Sequence, residues 1–337
     1  MDAPAVPDAV RVYHDPLVLR HDTGPFHPEQ PGRVEACAAA LAAAGHRLHA
    51  PPSPERTLEA ISRVHPAGYV ERLRQAAARA PAGAGERAFT LFDSPDNPLG
   101  AATFDAAVRA VGLTLAAVDD VLAGRARSGF VVVRPPGHHA RARSAMGFCF
   151  LNTVAVAARD LLAARGLARV LVADFDVHHG NGTQELFWED GGVAYLSVHR
   201  YPFYPGTGAS DEAGAGAGRG LTVNVPRPAG SGDDPYAGGF SDALEALAER
   251  FRPEMVLVSA GFDAHGEDPL GGMAVTEEGF ARMTRTLAEV ARLWAGGRLV
   301  SVLEGGYDPG AVGRSAVRHV SELGGCPGAI DTPESQP

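Results

Sequence analysis

The sequence predicts an α/β protein with a parallel sheet flanked by helices on both faces, and three observations carry that expectation. From Phe130 onward, short apolar runs alternate with longer stretches of helical periodicity, which is the βαβ pattern. Runs such as Val170-Leu171-Val172-Ala173 are apolar throughout, as strands buried on both faces are. Polar motifs follow these runs at their C-terminal ends and not their N-terminal ends, the edge at which open parallel sheets bind ligands.

In chain order, residues 9–13 read as a strand, 21–32 as a loop rich in Pro, Gly and His, and 33–44 as a helix. Helical stretches are expected at 66–80 and 103–123; between them Phe92-Asp93-Ser94-Pro95-Asp96-Asn97-Pro98 carries two prolines and reads as irregular. The alternation then runs strand 130–133, helix 151–165, strand 170–173, short helix 183–188, strand 193–198 and strand 221–225. Helix 236–250, strand 255–259, helix 277–295, strand 299–303 and helix 311–323 complete it. The glycine-rich run 214–220 precedes a strand instead of joining a strand to a helix, so it reads as a flexible surface loop and not a phosphate cradle.

With 337 residues, 45% of them hydrophobic and 21% charged, the chain suits one α/β domain over residues 1–330, followed by a frayed tail at 331–337. The net charge of -10 argues against nucleic-acid and anionic-membrane partners, because phosphate binding needs clustered cations. Cys37, Cys149 and Cys326 are odd in number and widely spaced, which indicates neither a disulfide framework nor a thiolate metal site. With no leader-like N-terminus and no spanning apolar run, the expected setting is the cytoplasm.

Chemistry is concentrated where the 170–173 strand ends. Asp174, Asp176 and His178 follow at spacing two, so an extended backbone would send all three side chains to one side. A single Asp after a strand often only caps the next helix, but two carboxylates, a same-side imidazole and the turn-permitting Gly180 and Gly182 fit capping poorly. Asp176, His178 and Asp263 would supply three ligands to one divalent metal and leave a position open for water or substrate, as catalytic zinc requires; iron, cobalt and manganese also suit this donor set. His138 and His139, behind the stiff Arg134-Pro135-Pro136-Gly137, offer acid-base groups at the same edge. Tyr307, after two glycines, offers a hydroxyl to a developing oxyanion, although most tyrosines only pack.

Arg134-Pro135-Pro136-Gly137-His138-His139, the run from Asp174 to Thr183, Ser259-Ala260-Gly261-Phe262-Asp263 and Glu304-Gly305-Gly306-Tyr307, in this order, resemble the histone deacetylase superfamily. Weaker similarity at residues 27–33 and 64–70 extends the resemblance over nearly the whole chain. It implies the arginase/deacetylase fold, one zinc ion at Asp176, His178 and Asp263, and hydrolysis of an acetylated amine to acetate and free amine. By the same resemblance His139 is general base and acid, His138 an electrostatic partner steadied by Asp174, and Tyr307 the oxyanion donor. A structural potassium ion would involve Asp174, Ser197 and the carbonyls of Asp176 and His178. Phe148 and Tyr204 would flank an acyl-lysine tunnel lined by Gly147 and Leu270, with Arg33 near an acetate exit. Two departures stand out: Asn181 replaces an Asp of some members, as in the class II branch, and Tyr204 replaces the usual tunnel Phe. A hydroxyl in an apolar channel needs a partner or water.

The expected partner is an acetylated lysine peptide or a small acetylated amine. An acetylpolyamine deacetylase is the nearest rival; Leu270 offers no charge to a polyamine cation, but acidic loop residues such as Asp93 or Glu267 could attract one. A two-manganese arginase-like site would need carboxylates where Gly180 and Gly261 stand. A catalytically silent binder of acetylated ligands is the third reading, and the retained Tyr307 and metal ligands weigh against it.

Overall fold

The computed structural model describes residues 8–81 and 89–325. Its core is an eight-stranded sheet whose pairings are all parallel. The strands are β1 (Asp8–Tyr13), β2 (Leu48–His49), β5 (Ala126–Val131), β6 (Val170–Asp174), β7 (Val193–Arg200), β8 (Thr222–Arg227), β9 (Met255–Ala260) and β10 (Leu299–Leu303). Their order across the sheet is β2-β1-β5-β10-β9-β6-β7-β8. A separate antiparallel pair, β3 (Thr90–Phe92) and β4 (Ser94–Leu99), stands apart from it.

Two helical layers cover the sheet, as the continuous apolar strands require. One holds α4 (Thr103–Leu122) and α5 (Thr153–Ala164), which pack on β1, β5, β6, β9 and β10. The other holds α1 (Pro31–Ala43), α7 (Gly239–Phe251), α8 (Glu277–Trp294) and α9 (Pro309–Gly325), which pack side by side. Helix α3 (Ala67–Arg79) and the shorter α2 (Thr57–Ser62) and α6 (Asn181–Phe187) fill the flanks. Helix α8 shows how pattern becomes position. Thr276 caps it by accepting the Glu278 N–H, and Phe280, Met283, Leu287 and Val290 recur at three to four residues on its buried face. None of the helices among the described residues is long and apolar enough to cross a membrane.

The strand order explains why distant motifs meet. Strands β5, β10, β9 and β6 are neighbours, although the chain visits them far apart in sequence. Their ends are nearly level, with Val302 paired to Val131, Leu303 to Ala260 and Asp174 to Ser259. At about 4.8 Å per strand, their four C-terminal loops share an edge roughly 15 Å wide.

Several sequence expectations need correction. Residues 92–98 are not irregular: β3 and β4 pair through a bulge at Leu91/Phe92, with Asp93 in a left-handed turn (φ 63°). A two-stranded ribbon consists of edges, where a proline removes no ladder hydrogen bond. Strand β5 starts at Ala126, four residues before the apolar run, and β2, α2 and a 3-10 turn at Pro16–Arg20 were not anticipated. The glycine-rich run contains a 3-10 turn (Gly216–Gly218) packed on the end of α6, where a Cβ at Gly218 would collide with the Trp188 carbonyl. The expected tail at 331–337 lies outside the described residues.

The 21–32 loop is fixed to the sheet edge by a fully buried carboxylate. Glu29 accepts from Arg33 (2.7 Å) and from Arg134 (2.6 and 3.0 Å), both guanidiniums being buried as well. Removing one partner of such a group leaves uncompensated buried charge, so Glu29→Gln should cost about 3–5 kcal/mol of stability, read as a lowered denaturation midpoint. An unchanged midpoint would show that the two arginines are satisfied by backbone carbonyls alone.

Candidate active site

Asp176 and His178 follow β6, and Asp263 follows β9 beside it. The extended strand ends at Asp174, so convergence does not come from alternation along one strand. Instead, carboxylates hold successive N–H groups: Asp174 accepts from Asp176 (3.1 Å), Asp176 from His178 (2.9 Å) and Asp263 from Val177 (2.8 Å). The His178 Nδ1 then lies 3.2 Å from Asp176 and 3.1 Å from Asp263, and one ligand atom from each of the three falls within 4.8 Å of the others. All three are buried.

Room for this cluster is made by absent side chains. A Cβ at Gly261 would collide with Asp176, and one at Gly305 with both Asp263 and Asp176. The Gly305 N–H donates to Asp176 at 2.8 Å. A Cβ at Gly180 would strike Asp174 and Tyr195, so the positions a second arginase-type metal would need are occupied by neighbours.

Burial disfavours charge on every group here, and the carboxylates divide unequally. Burial and the neighbouring Asp176 charge push Asp263 up to about 7, whereas His138 and His178 overcome burial to hold Asp176 low. Against its own burial, His178 is raised to about 9 by Asp176 and Asp263. One cation serving both carboxylates answers this strain, and two carboxylates with one imidazole suit a divalent transition metal.

His138 and His139 lie in the loop after β5, with ring centroids 4.0 Å apart. Glu304, at the end of β10, accepts the Gly137 N–H (2.5 Å) and the His138 N–H (3.2 Å), and the α5 cap Asn152 donates to the carbonyls of His138 and Ala140. The two imidazoles are then set apart electrically. His138 Nδ1–H donates to Asp174 (3.0 Å), and the Asp176 and Asp174 charges outweigh burial to raise His138 to about 10. His139 is driven well below its ordinary value by burial and by its cationic neighbours His138 and His178. Its Nδ1–H donates to Asn181 (2.8 Å), which leaves Nε2 as an acceptor.

Tyr307 completes the edge. Its ring meets Phe148 edge-on at 5.9 Å and carries the Arg33 guanidinium 4.8 Å above it. Burial and the Asp263 charge push its hydroxyl well above the ordinary value, so it stays a donor.

The expected tunnel residues also gather here. Tyr204 sets its ring against His139 (5.2 Å) and His178 (6.1 Å), while Phe148 faces Tyr307 and His27. A Cβ at Gly147 would strike the His139 ring, so the backbone passes directly beside it. Phe148 adopts a left-handed backbone (φ 68°) that a bulky residue rarely takes. The β4 strand holds it there: Asn97 accepts the Phe148 N–H (2.9 Å) and donates to the Cys149 carbonyl (3.0 Å), and Asp96 accepts the Gly147 N–H (3.2 Å). Asp96 also accepts the hydroxyl of the exposed Tyr204 (2.9 Å).

Asp93, expected at the substrate, pairs with Arg72 and accepts the Ala145 N–H (3.0 Å), bracing the loop that leads to Gly147. Glu267 is likewise paired, with Arg314 at 2.6 Å. Leu270 is half-buried on the loop after Asp263. Asp96, Asn97 and Glu304 were missed as site residues; the first two sit in the proline-bearing stretch read as irregular, and Glu304 was quoted only as part of its motif.

With this geometry in place, comparison with known proteins is informative. A family model described as Histone deacetylase domain matches residues 27–323. The chain is 36% identical to a histone deacetylase-like amidohydrolase from Pseudomonas aeruginosa, covering 95% of this chain and 87% of that one. It is 41% identical to histone deacetylase 15 from Arabidopsis thaliana over 88% of this chain, and spans only 52%, about half, of that longer relative. The crystal structure of the HDA15 HD domain superposes with a TM-score of 0.86 at 38% identity, covering 95% of this chain and 89% of that one. A match across the whole sheet and every motif-bearing loop places the chain in the histone deacetylase family.

Proposed function

We propose that this protein is a zinc-dependent amidohydrolase that removes the acetyl (acyl) group from the side-chain amine of acetylated lysine and releases acetate. One observation carries the reading: a three-residue cluster able to hold a metal, a pair of electrically distinct histidines and a half-buried tyrosine meet beside the rings of Phe148 and Tyr204. The Asp176, His178 and Asp263 donor set fits a single divalent ion, which when bound would polarise the acyl carbonyl and lower the pKa of a water.

The chain's own residues supply the remainder. Phe148 and Tyr204 bury the apolar stem of the acylated side chain and exclude water. His139, neutral with a free Nε2, takes the proton of the attacking water and returns one to the leaving amine. His138, tethered to Asp174, keeps positive charge beside the reacting centre. Tyr307 donates to the oxygen that gains charge as water adds. A potassium ion near Asp174, Ser197 and the carbonyls of Asp176 and His178 belongs to the same reading, since an all-oxygen donor set suits a hard cation. So do a deacetylase domain extending over residues 1–330 and a cytoplasmic setting for the unpaired, buried Cys37 and Cys149.

The acetylpolyamine alternative is favoured by Asp96, a carboxylate at the channel beside Tyr204. Three donors, from Ser94, Gly147 and Tyr204, already engage it, which leaves less of it for an ammonium. Lysine brings four methylenes, worth about 0.8 kcal/mol each when buried, and no internal cation to desolvate.

Asp263→Ala should lose both bound metal and activity, measured by metal analysis alongside turnover; full occupancy in that variant would remove the ligand assignment. Tyr307→Phe should keep metal and fold but lower kcat by about 10²–10³-fold, the scale for losing one oxyanion donor, and unchanged turnover would reduce Tyr307 to packing. In side-by-side assays the enzyme should give a higher kcat/KM for acetyl-lysine peptides than for acetylspermidine or acetylputrescine, and Leu270→Glu should move that ratio towards the polyamines. A wild-type preference for acetylpolyamines would overturn the substrate class and leave the amidohydrolase reading in place. Loaded protein that binds acetylated ligands yet hydrolyses none would support the silent-binder reading instead.

A further inference from the structure

The loop between Asp263 and α8 holds a second buried carboxylate, Asp268, to which nothing above gives a role. One of its oxygens accepts the N–H groups of Leu270 (2.8 Å) and Gly271 (3.0 Å). Taken alone this is an ordinary Asp turn, in which the side chain bonds its own backbone two or three residues on. The other oxygen is not local: it accepts the N–H of Tyr307, 39 residues away, at 2.6 Å. The loop is in turn pressed onto the metal cluster, because a Cβ at Gly271 would collide with the Asp263 carbonyl.

Tyr307 needs such an anchor. It follows Gly305 and Gly306, which contribute no side-chain packing, and Gly306 takes a left-handed backbone (φ 117°). Four hydrogen bonds hold the main chain of residues 305–307: Gly305 N–H to Asp176, Phe262 N–H to the Gly305 carbonyl, Arg33 to the Gly306 carbonyl, and Tyr307 N–H to Asp268. Only the last acts on Tyr307 itself. We infer that Asp268 is a positioning residue for the reaction, fixing the main chain of Tyr307 and tying it to the loop that carries Leu270. The inference rests on the functional reading above. In it, Asp268 touches no reacting atom and acts through the place of the Tyr307 hydroxyl.

Two substitutions separate this role from loop stability. Asp268→Asn keeps the shape but presents an amide NH₂ to one of the N–H groups however it is turned, so one side of the bridge opens. Asp268→Ser can keep the local turn and is too short to reach Tyr307. Both should lower kcat on an acetyl-lysine peptide about tenfold or more, since displacement by about 1 Å costs up to about 100-fold, with KM, metal content and thermal midpoint little changed. Combined with Tyr307→Phe, either should add less than about a twofold further loss, because the hydroxyl they displace is already gone. A loss of the same size in both backgrounds, or wild-type kcat in Asp268→Ser, would overturn the inference even if Asp268→Asn does not fold. A metal-loaded wild type inactive on the peptide would instead show that the functional reading had failed.

Discussion

Two buried carboxylates facing one imidazole nitrogen are the constraint around which this molecule is arranged. Asp176 and Asp263 come from adjacent strand ends, and neither reaches water. Bringing like charges together in a dry interior is costly, and the cost is met only by a cation or a proton. The upward push on Asp263 and on His178 is that demand expressed in protons. Glycine at 261 and 305 follows from the same demand, because no larger residue leaves space for the carboxylates to close on a shared centre.

The loops around the cluster are held largely by carboxylates that accept backbone N–H groups. Asp174, Asp176 and Asp263 order the chain from 176 to 178, Glu304 holds 137 and 138, and Asp96 and Asp268 hold the chain at 147 and 307. Hydrogen bonds to an ionised acceptor are stronger than neutral ones and fix backbone, which carries side-chain direction with it. These bonds mostly link separate loops, so the site depends on the level strand ends that bring those loops to one edge.

The fold was legible because a doubly covered parallel sheet writes itself as mainly apolar runs, unbroken in β6 before Asp174 and interrupted only by Ser259 in β9 and Ser301 in β10. The residues gathered at the centre, from His138 to Tyr307, were legible because their types are chemically unusual together. Spacing along one strand was a poor guide to how they converge: Asp174 turns to His138 while Asp176 and His178 turn to Asp263. The supports were harder to see. Asp96 and Asn97 act through main-chain contacts to residues about fifty positions away, which leave no periodic trace, and two prolines masked a ribbon that tolerates them. Asp268 looks like a turn residue because half of its bonding is that of a turn.

Tyr204 shows how one hydroxyl ties two parts of the site together. A phenylalanine there would present only an apolar face, whereas the tyrosine spends its hydroxyl on Asp96 and thereby links the loop after β7 to the β3–β4 ribbon. The bond does two things at once. It gives the phenol a fixed partner beside His139, and it adds a third donor to a carboxylate that Ser94 and Gly147 also engage. The loop acids are engaged differently: Asp93 pairs with Arg72, while Glu267 shares Arg314 with Glu277.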